Sequence, residues 1–304
     1  MRHEYNCFTP AQDTYGMNIK KQTSQKPKKS YNSPQFNGKG NVDMLFACDI
    51  GNTSISLGVF DGDSMVMDSK IATSYEKSAD EYAILLTGIF AMHHVDVLSI
   101  KEAIISSVVR PLNTTMLHAI EKTMHVTPMF VGPGLKTGLN IKTDIPSQMG
   151  ADIVSNAVAA VSMHASPMVI LDLGTATTLT AINEKGELCG VLIIPGIRSS
   201  LNALSAQAAE LPRISLEKPR AFLGKNTIDS MMSGVVYGNA SMIDGLLDRI
   251  KEEWKVENLT VIATGGLADI ILPYCRPGTV IHLEANLTLQ GLKIIHRLNA
   301  NRKI

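Results

Sequence analysis

Two short stretches of this sequence share a pattern that could bind phosphate. They are CDIGNTSISLGVF (48–60) and LDLGTATTLTAIN (171–183). Each reads apolar residue, Asp, apolar residue, Gly, and then small polar residues that include Thr. One such turn would be weak evidence, because short motifs arise by chance. Two copies, each between strand-like runs, indicate a repeated strand–turn–strand unit.

The turns carry groups that donate hydrogen bonds to an anion. Gly51 and Gly174 let the backbone come close to a ligand, since no side chain stands in the way. The backbone N–H groups of each turn and four hydroxyls are donors suited to phosphate oxygens. The hydroxyls belong to Thr53, Ser54, Thr175 and Thr177.

An aspartate precedes each turn, and this creates a conflict. Asp49 and Asp172 would repel phosphate unless a cation lay between them and the ligand. Oxygen ligands and phosphates together suit Mg²⁺ or another hard cation. Two such turns facing each other across a cleft would clamp the phosphates of a nucleotide. The alternative is a pair of ordinary hairpin turns in which each Asp bonds its own backbone.

A third glycine turn lies near the end of the chain. ATGGLAD (263–269) places two glycines after a buried strand. This fits close packing of the backbone against a flat ligand such as a purine, or a simple strand-to-helix turn. No Walker-type loop competes, because LGKNT (223–227) lacks the upstream glycine spacing, and no Gly-x-Gly-x-x-Gly follows a strand.

The elements that must position these turns alternate between strands and helices. Strand patterns occur at 44–50, 54–60, 65–73, 102–109, 127–132, 168–183, 186–196 and 259–264. Helical spacing occurs at 78–95, 113–124, 151–165, 197–211, 228–254 (as one helix or two) and 287–300. Residues 133–150 are rich in Gly and Pro and are expected to be irregular. The order predicts an α/β chain of two similar halves.

Composition narrows the class of protein. The chain has 304 residues, enough for two domains, and 45% of them are apolar, which supports a real core. With 28 basic and 28 acidic residues, the charge gives no reason to expect nucleic acid or a membrane as the partner. The four scattered cysteines are typical of reduced thiols in a cytoplasmic protein.

Residues 1–43 differ from the rest of the chain. They are rich in Lys, Ser, Asn, Gln and Pro, and they bury too little apolar surface to offset the entropy of ordering. We expect a disordered basic tail. It is an extension without function, a misassigned start or, as the minor alternative, a tethering arm.

Seven stretches, in order along residues 44–300, match one family. They are DIGNTSISLGVF, GADIVSNAVAA, LDLGTATTLT, GVLIIPGIRSSLNALS, LPRISLEKP, GKNTIDSMMSGVVYG and ATGGLAD. With them the chain resembles the type III pantothenate kinase family, in the superfamily of acetate kinase, sugar kinases, heat-shock chaperones and actin. The resemblance implies two ribonuclease-H-like domains, at 44–167 and 168–304, with a nucleotide cleft between them.

The resemblance also implies an activity and an assembly. The protein would be a cytoplasmic homodimer that phosphorylates pantothenate with ATP, the first step of coenzyme A biosynthesis. Thr175 would contact the ATP phosphates together with the residues of the first turn. Those residues are Asp49, Ile50, Gly51, Asn52, Thr53, Ser54, Ile55 and Ser56. Asp172 would bind a monovalent cation, potassium or ammonium, beside the Mg²⁺ that ATP carries.

The acceptor side of the site follows from the same resemblance. Asp152 would be the general base for the acceptor hydroxyl. Pantothenate would lie against Thr143, Gly150, Ala151, Asp152, Ile153 and Thr227. Chemistry also allows the role of Asp152, because phosphoryl transfer uses a carboxylate to accept the proton of the attacking hydroxyl. An aspartate at the start of an Ala-rich helix can equally be only an N-terminal cap.

Three positions depart from the family pattern, all on the acceptor side. Ile153 stands where the family usually has Arg, and Ile cannot pair with a carboxylate or phosphate. Thr143 stands where a Tyr is common, and Ala208-Ala209 where Thr-Ala is common. Three functions therefore stay open: a kinase for pantothenate or another acceptor, a nucleotide-binding regulator without turnover, and a hydrolase of nucleotide or polyphosphate.

Overall fold

The computed structural model describes residues 19–20, 43–208 and 210–300. Within the tail for which disorder is predicted, residues Ile19–Lys20 are an exception. They form a two-residue strand, β1, that pairs in parallel with Ile281 and His282 at the edge of a sheet. The other residues of the tail, including Cys7, lie outside the described residues.

The first half is built on a five-stranded sheet. Its strands are β2 (Met44–Ile50), β3 (Ser54–Asp61), β4 (Ser64–Ala72), β5 (Ile100–Ser107) and β6 (Met129–Phe130). They lie in the order β4-β3-β2-β5-β6, antiparallel from β2 to β4 and parallel from β2 to β6. Helices α1 (Ala79–Met92) and α2 (Asn113–Met124) cover one face. The Ser78–Glu81 capping box begins α1.

The second half repeats this plan. Its strands are β7 (Met168–Leu173), β8 (Ala176–Ile182), β9 (Leu188–Pro195), β10 (Thr260–Thr264) and β11 (Ile281–Leu283). They form a sheet in the order β1-β11-β10-β7-β8-β9. The remaining helices are α3 (Ala151–Met163), α4 (Ile197–Gln207), α5 (Thr227–Trp254), α6 (Ala268–Ile271) and α7 (Leu287–Asn299). In both halves an antiparallel hairpin carries an Asp-x-Gly turn.

Strand β2 is apolar except at Asp49 because helices cover both of its faces. Phe46 and Cys48 face the core with α1 and α2. Leu45 and Ala47 face a second cluster that contains residues of α3 and α7. The exception is Asp49, the penultimate residue of the strand, which is polar and only partly buried, whereas Ile50 after it is fully buried in the core.

The last helix returns to the first half of the chain. Helix α7 packs along α3, and Leu289 of α7 lies against Gly58 of β3. A Cβ atom built at Gly291 of α7 would lie 1.9 Å from the carbonyl oxygen of Ser155 in α3. The two helices therefore approach so closely that only glycine fits at the crossing.

Replacing Gly291 by Ala is expected to destabilise the fold by about 1–3 kcal/mol or more, because the added methyl overpacks the α3–α7 crossing. Gly245→Ala in α5 is the matched control, since a Cβ there meets nothing within 4 Å. It is expected to be neutral or to stabilise by up to about 1 kcal/mol through helix propensity. Thermal melting measures both. Equal midpoints for the two variants would contradict the close helix crossing.

Most of the element predictions are confirmed. Every predicted strand and helix has a counterpart, and residues 228–254 fall within one helix, α5, rather than two. The stretch 133–150 is irregular apart from one 3-10 turn, Pro146–Gln148, and an isolated bridge between Ile141 and Leu188. No helix among the described residues combines the length and apolarity needed to span a membrane. The domain boundary between residues 167 and 168 stays a prediction.

Candidate active site

Two turns from opposite halves of the chain meet in the structure. One joins β2 to β3 and the other joins β7 to β8. Thr53 Oγ1 lies 2.8 Å from Thr175 Oγ1, in a hydrogen bond between exposed side chains. The structure thus brings together the two motifs whose pattern indicated phosphate binding.

Hydrogen bonds hold the first turn in one shape. The N–H of Gly51 donates to the carbonyl oxygen of Ser54 at 3.1 Å. The hydroxyl of Thr73 donates to the carbonyl oxygen of Gly51 at 2.6 Å, and the Thr73 N–H donates to the Thr53 carbonyl at 3.1 Å. The residue after β4 is thereby tied to the turn. A turn that is rigid before its ligand arrives loses less entropy on binding.

The side chains of the first turn divide into buried and exposed sets. Ile50 and Ile55 pair across the hairpin and are fully buried in the core. Only the backbone of these two residues can therefore contact a nucleotide. Asn52 and Thr53 are exposed, and the Tyr75 hydroxyl donates to Asn52 Oδ1 at 3.3 Å. This bond leaves the amide N–H₂ of Asn52 as a donor for phosphate.

Three aspartates interact electrostatically at the junction of the halves. Burial, followed by the charges of Asp152 and Asp172, raises the pKa of Asp49 to about 7. Burial and the charge of Asp152 raise the pKa of Asp172 to about 6. Burial also raises the pKa of Asp152. Carboxylates that disfavour one another's ionisation create a place where a cation is stabilised.

A relay of hydrogen bonds orients Asp172. Asn156 Nδ2 donates to Asp172 Oδ2 at 3.1 Å, and Thr288 Oγ1 donates to Asn156 Oδ1 at 2.7 Å. Because Thr288 occupies the amide oxygen, the amide nitrogen faces the carboxylate. The alternative of an aspartate bonded to its own backbone does not describe Asp172, whose partner comes from α3.

Asp152 lies inside the first turn of α3 rather than at its cap. The helix begins at Ala151, and Gly150 is the N-cap residue, without a side-chain cap. The reading of Asp152 as the N-cap residue is therefore wrong by position. Asp152 Oδ1 accepts the N–H of Ile153 at 2.8 Å. A Cβ at Gly150 would lie 2.4 Å from the same oxygen, so the glycine makes room for the carboxylate.

Of the two glycines in ATGGLAD, Gly265 packs against the turn between β7 and β8. Gly265 has φ +93°, and a Cβ there would lie 2.6 Å from the backbone of Leu173 and 2.7 Å from Asp172 Oδ1. The protein's own turn therefore requires this glycine. A Cβ at Gly266 would meet nothing within 4 Å. Only Gly266 thus has the open space that the predicted packing against a flat ligand needs.

The start of α4 packs against the same turn. A Cβ at Gly196 would lie 2.1 Å from the carbonyl oxygen of Thr175. The hydroxyl of Ser199 donates to that oxygen at 3.1 Å. The segment PGIRSS, noticed in the sequence only as part of a resemblance, thus fixes the backbone of the second turn.

The predicted acceptor residues are more dispersed. The Thr143 hydroxyl is buried, with no hydrogen-bond partner among the described residues. Ile153 is 8% exposed and packs in a cluster with Ala157, so its side chain points into the core. Thr227 is the exposed first residue of α5. In the described part of the chain, neither threonine is hydrogen-bonded to the three aspartates. Ala208 follows α4, whereas Ala209 lies outside the described residues.

The carboxylates fit a hard cation that arrives with phosphate. No group of three or more His, Cys, Asp or Glu side chains among the described residues is arranged to hold a metal ion alone. Mg²⁺ usually takes one or two carboxylates, with water and phosphate oxygens completing its shell. Asp49 and Asp172 offer such carboxylates beside the turns. This donor set fits a metal that a nucleotide carries.

Sequence reasoning missed three supporting residues: Asn156, Thr288 and Thr73. Asn156 follows Asp152 by four residues, and that spacing puts both on one helix face. The spacing could have identified Asn156. No local signal pointed to Thr288 or Thr73, because each reaches the site through the tertiary fold.

Known structures share the fold of this chain. A Baf family protein of Campylobacter jejuni matches 85% of the chain and 100% of its own, with 19% identity and a TM-score of 0.52. The activator of 2-hydroxyisocaproyl-CoA dehydratase from Clostridium difficile, solved with bound ADPNP, matches 86% of the chain and 97% of its own, with 13% identity and a TM-score of 0.52. The prediction of two ribonuclease-H-like domains is confirmed.

Sequence comparison gives the family. The sequence model of the type III pantothenate kinase family matches residues 45–249. A type III pantothenate kinase of Geotalea daltonii is 43% identical over 256 residues, which are 84% of this chain and 99% of the relative. That of Halalkalibacterium halodurans is also 43% identical over 256 residues, which are 84% of this chain and 100% of the relative. The chain belongs to the type III pantothenate kinase family.

Proposed function

We propose that this protein transfers the γ-phosphoryl group of ATP to a hydroxyl of pantothenate, the first step of coenzyme A biosynthesis. The observation that carries the proposal is the meeting of two Asp-x-Gly turns, joined by the Thr53–Thr175 bond, beside three interacting aspartates. Family membership supports the same substrates. Phosphoryl transfer needs mainly positioning and charge neutralisation, and the hydrogen-bond donors of these turns serve the positioning.

On the nucleotide side, residues 49–56 and Thr175 hold the phosphates of ATP. The backbone N–H groups of the first turn and the hydroxyls of Thr53 and Thr175 donate to phosphate oxygens. Mg²⁺, when bound with ATP, offsets phosphate charge, and Asp49 lies where it can contribute a carboxylate. Asp172, held by Asn156, would be the ligand of a monovalent cation, potassium or ammonium.

Asp152 is proposed as the general base. A raised pKa makes a carboxylate a better proton acceptor, and burial raises the pKa of Asp152. The Ile153 N–H that donates to its Oδ1 favours the ionised form. The other oxygen can then accept the proton of the acceptor hydroxyl as the phosphorus–oxygen bond forms.

At position 153 the family usually has the cationic side chain of Arg, which this chain lacks. We propose that its acceptor side uses backbone groups and small polar side chains instead. Gly150 and Ala151 lie beside Asp152 and expose backbone to the acceptor, and the Thr143 hydroxyl has an unused hydrogen-bonding capacity. Thr227 offers a further hydroxyl at the start of α5. Since Ile153 is buried, its contribution is its backbone N–H.

We also propose that the protein works as a homodimer in the cytoplasm. Six large apolar side chains among the described residues between 192 and 228 are exposed, and contact with a second copy would remove their apolar surface from water. They are Leu192, Ile193, Leu204, Phe222, Leu223 and Ile228. Free thiols at Cys48, Cys189 and Cys275 agree with a reducing compartment.

The decisive experiment is ADP release by the full chain with ATP, Mg²⁺ and K⁺, with and without pantothenate. Release that depends on pantothenate is expected. Nucleotide binding without turnover would favour a regulator, the second candidate, for which the burial of Ile153 is the specific observation. Phosphate release that ignores pantothenate would indicate a hydrolase. Either of these outcomes would overturn the proposed kinase.

A further inference from the structure

Directly opposite residues on three neighbouring strands connect Asp49 with Lys70. Asp49 of β2 pairs with Ser56 of β3, and Ser56 pairs with Lys70 of β4. Residues directly opposite in neighbouring strands project from the same face of a sheet. Lys70 therefore shares a face with Asp49, two strands away, with only the small Ser56 between them. Its flexible stem can lean across Ser56 toward the cleft.

The charge of Lys70 acts on both halves of the site. It lowers the pKa of Asp49 and also that of Asp172, opposing the effect of burial. Among the described residues, no other basic side chain has a resolved effect on either carboxylate. Because Asp49 and Asp172 are the penultimate residues of β2 and β7, a charge that acts on both lies near the junction of the two turns.

The proposed reaction needs a cation at that junction. Charge spreads over the equatorial oxygens of the phosphoryl group during transfer, and fixed positive charge stabilises it. The three aspartates add negative charge to a site that must also accept ATP. Ile153 supplies no cation, since its side chain is apolar and buried. Lys70 is the basic side chain whose placement meets the need.

We propose that Lys70 binds the γ-phosphoryl group of ATP, reaching it across Ser56 from the sheet face that it shares with Asp49. The inference rests on the proposed function, because it requires ATP between the two turns. It assigns Lys70 a contact with the reacting group itself. The competing role is structural: β4 is an edge strand, and exposed lysines on edge strands discourage pairing with other chains.

The test is a comparison of ATP and ADP affinities, measured by calorimetry with Mg²⁺ for the full chain. Lys70→Met is expected to weaken ATP binding about 10- to 150-fold, the loss of one hydrogen bond to a charged group. ADP binding is expected to change by less than about threefold, because ADP lacks the phosphate that Lys70 contacts. Lys70→Arg is expected to keep most of the ATP affinity, since it keeps the charge.

Two controls separate this contact from general effects. Lys101→Met removes an exposed lysine from β5 of the same sheet and is expected to leave both affinities unchanged. Lys70→Gln replaces Lys70→Met if the latter does not fold. Equal losses for ATP and ADP, no loss, or the same loss in Lys101→Met would overturn the contact. A wild-type chain that binds ATP but shows no turnover overturns the proposed function alone, whereas one that does not bind ATP overturns both.

Discussion

Asp152→Asn is expected to lower kcat about 10²- to 10⁴-fold, the usual contribution of a general base. Asn has almost the same shape as Asp and can still accept the N–H of Ile153, so α3 should begin as before. It cannot take the proton of the acceptor hydroxyl. The KM for ATP should stay the same or fall, because one of three interacting negative charges is removed. Steady-state kinetics with varied ATP and pantothenate measure both parameters.

The control for Asp152→Asn is Asp144→Asn, which removes an exposed carboxylate from the irregular segment before α3. It is expected to leave kcat within about twofold, as surface substitutions away from a site do. If Asp152→Asn retained kcat, Asp152 would serve only the first turn of its helix. A matching loss of kcat and thermal midpoint would also count against the base, because the proposed role predicts lost chemistry in a folded protein.

The two turns of the candidate site could be predicted because their signals are local. Each Asp-x-Gly turn joins two strands that the apolar pattern also marks, and sequence spacing alone places Asp49 and Asp172 at strand ends. The repeat then implied that the two turns are equivalent. Their contact, Thr53 to Thr175, follows once two equivalent halves face each other.

The supports of the site could not be predicted, because they depend on how distant segments pack. Thr288 belongs to the last helix, and nothing near it in the sequence says that α7 crosses back to α3. The contact requires Gly291 to sit against Ser155. Thr73 likewise reaches Gly51 only because β4 pairs beside β3. Contacts between segments that are far apart in the chain produce no periodic pattern in the sequence.

The orientation of Ile153 was open to prediction from periodicity. Ile153, Ala157 and Ala160 follow one another at the helical spacing of four and three residues and are buried on one side of α3. Asp152 and Asn156 lie on the neighbouring face, toward Asp172. The family resemblance drew attention to Ile153 as a substitution for Arg, whereas the apolar stripe already indicated that its side chain joins the core.

Asp49→Asn is expected to make the free protein more stable at alkaline pH while abolishing ATP turnover. The folded pKa of Asp49 is raised from 3.8 to about 7. The folded state therefore holds a proton that the unfolded state has lost, and the stability of the wild type falls as pH rises through that window. The full shift corresponds to about 4 kcal/mol. Because Asp49 is only partly buried, solvent screens part of this effect, and we expect a gain of about 1–3 kcal/mol at pH 8.

The pH dependence separates this effect from a general change in packing. The gain should shrink toward pH 4, where Asp49 is protonated in the wild type, so melting at both ends of the window measures it. Asp63→Asn is a control of opposite sign, because Arg297 lowers the pKa of Asp63 and this variant should lose stability above pH 4. A gain of the same size at pH 4 and pH 8 would contradict the titration of Asp49. Under the proposed function, the chain keeps at Asp49 a carboxylate whose charge the fold alone would do better without.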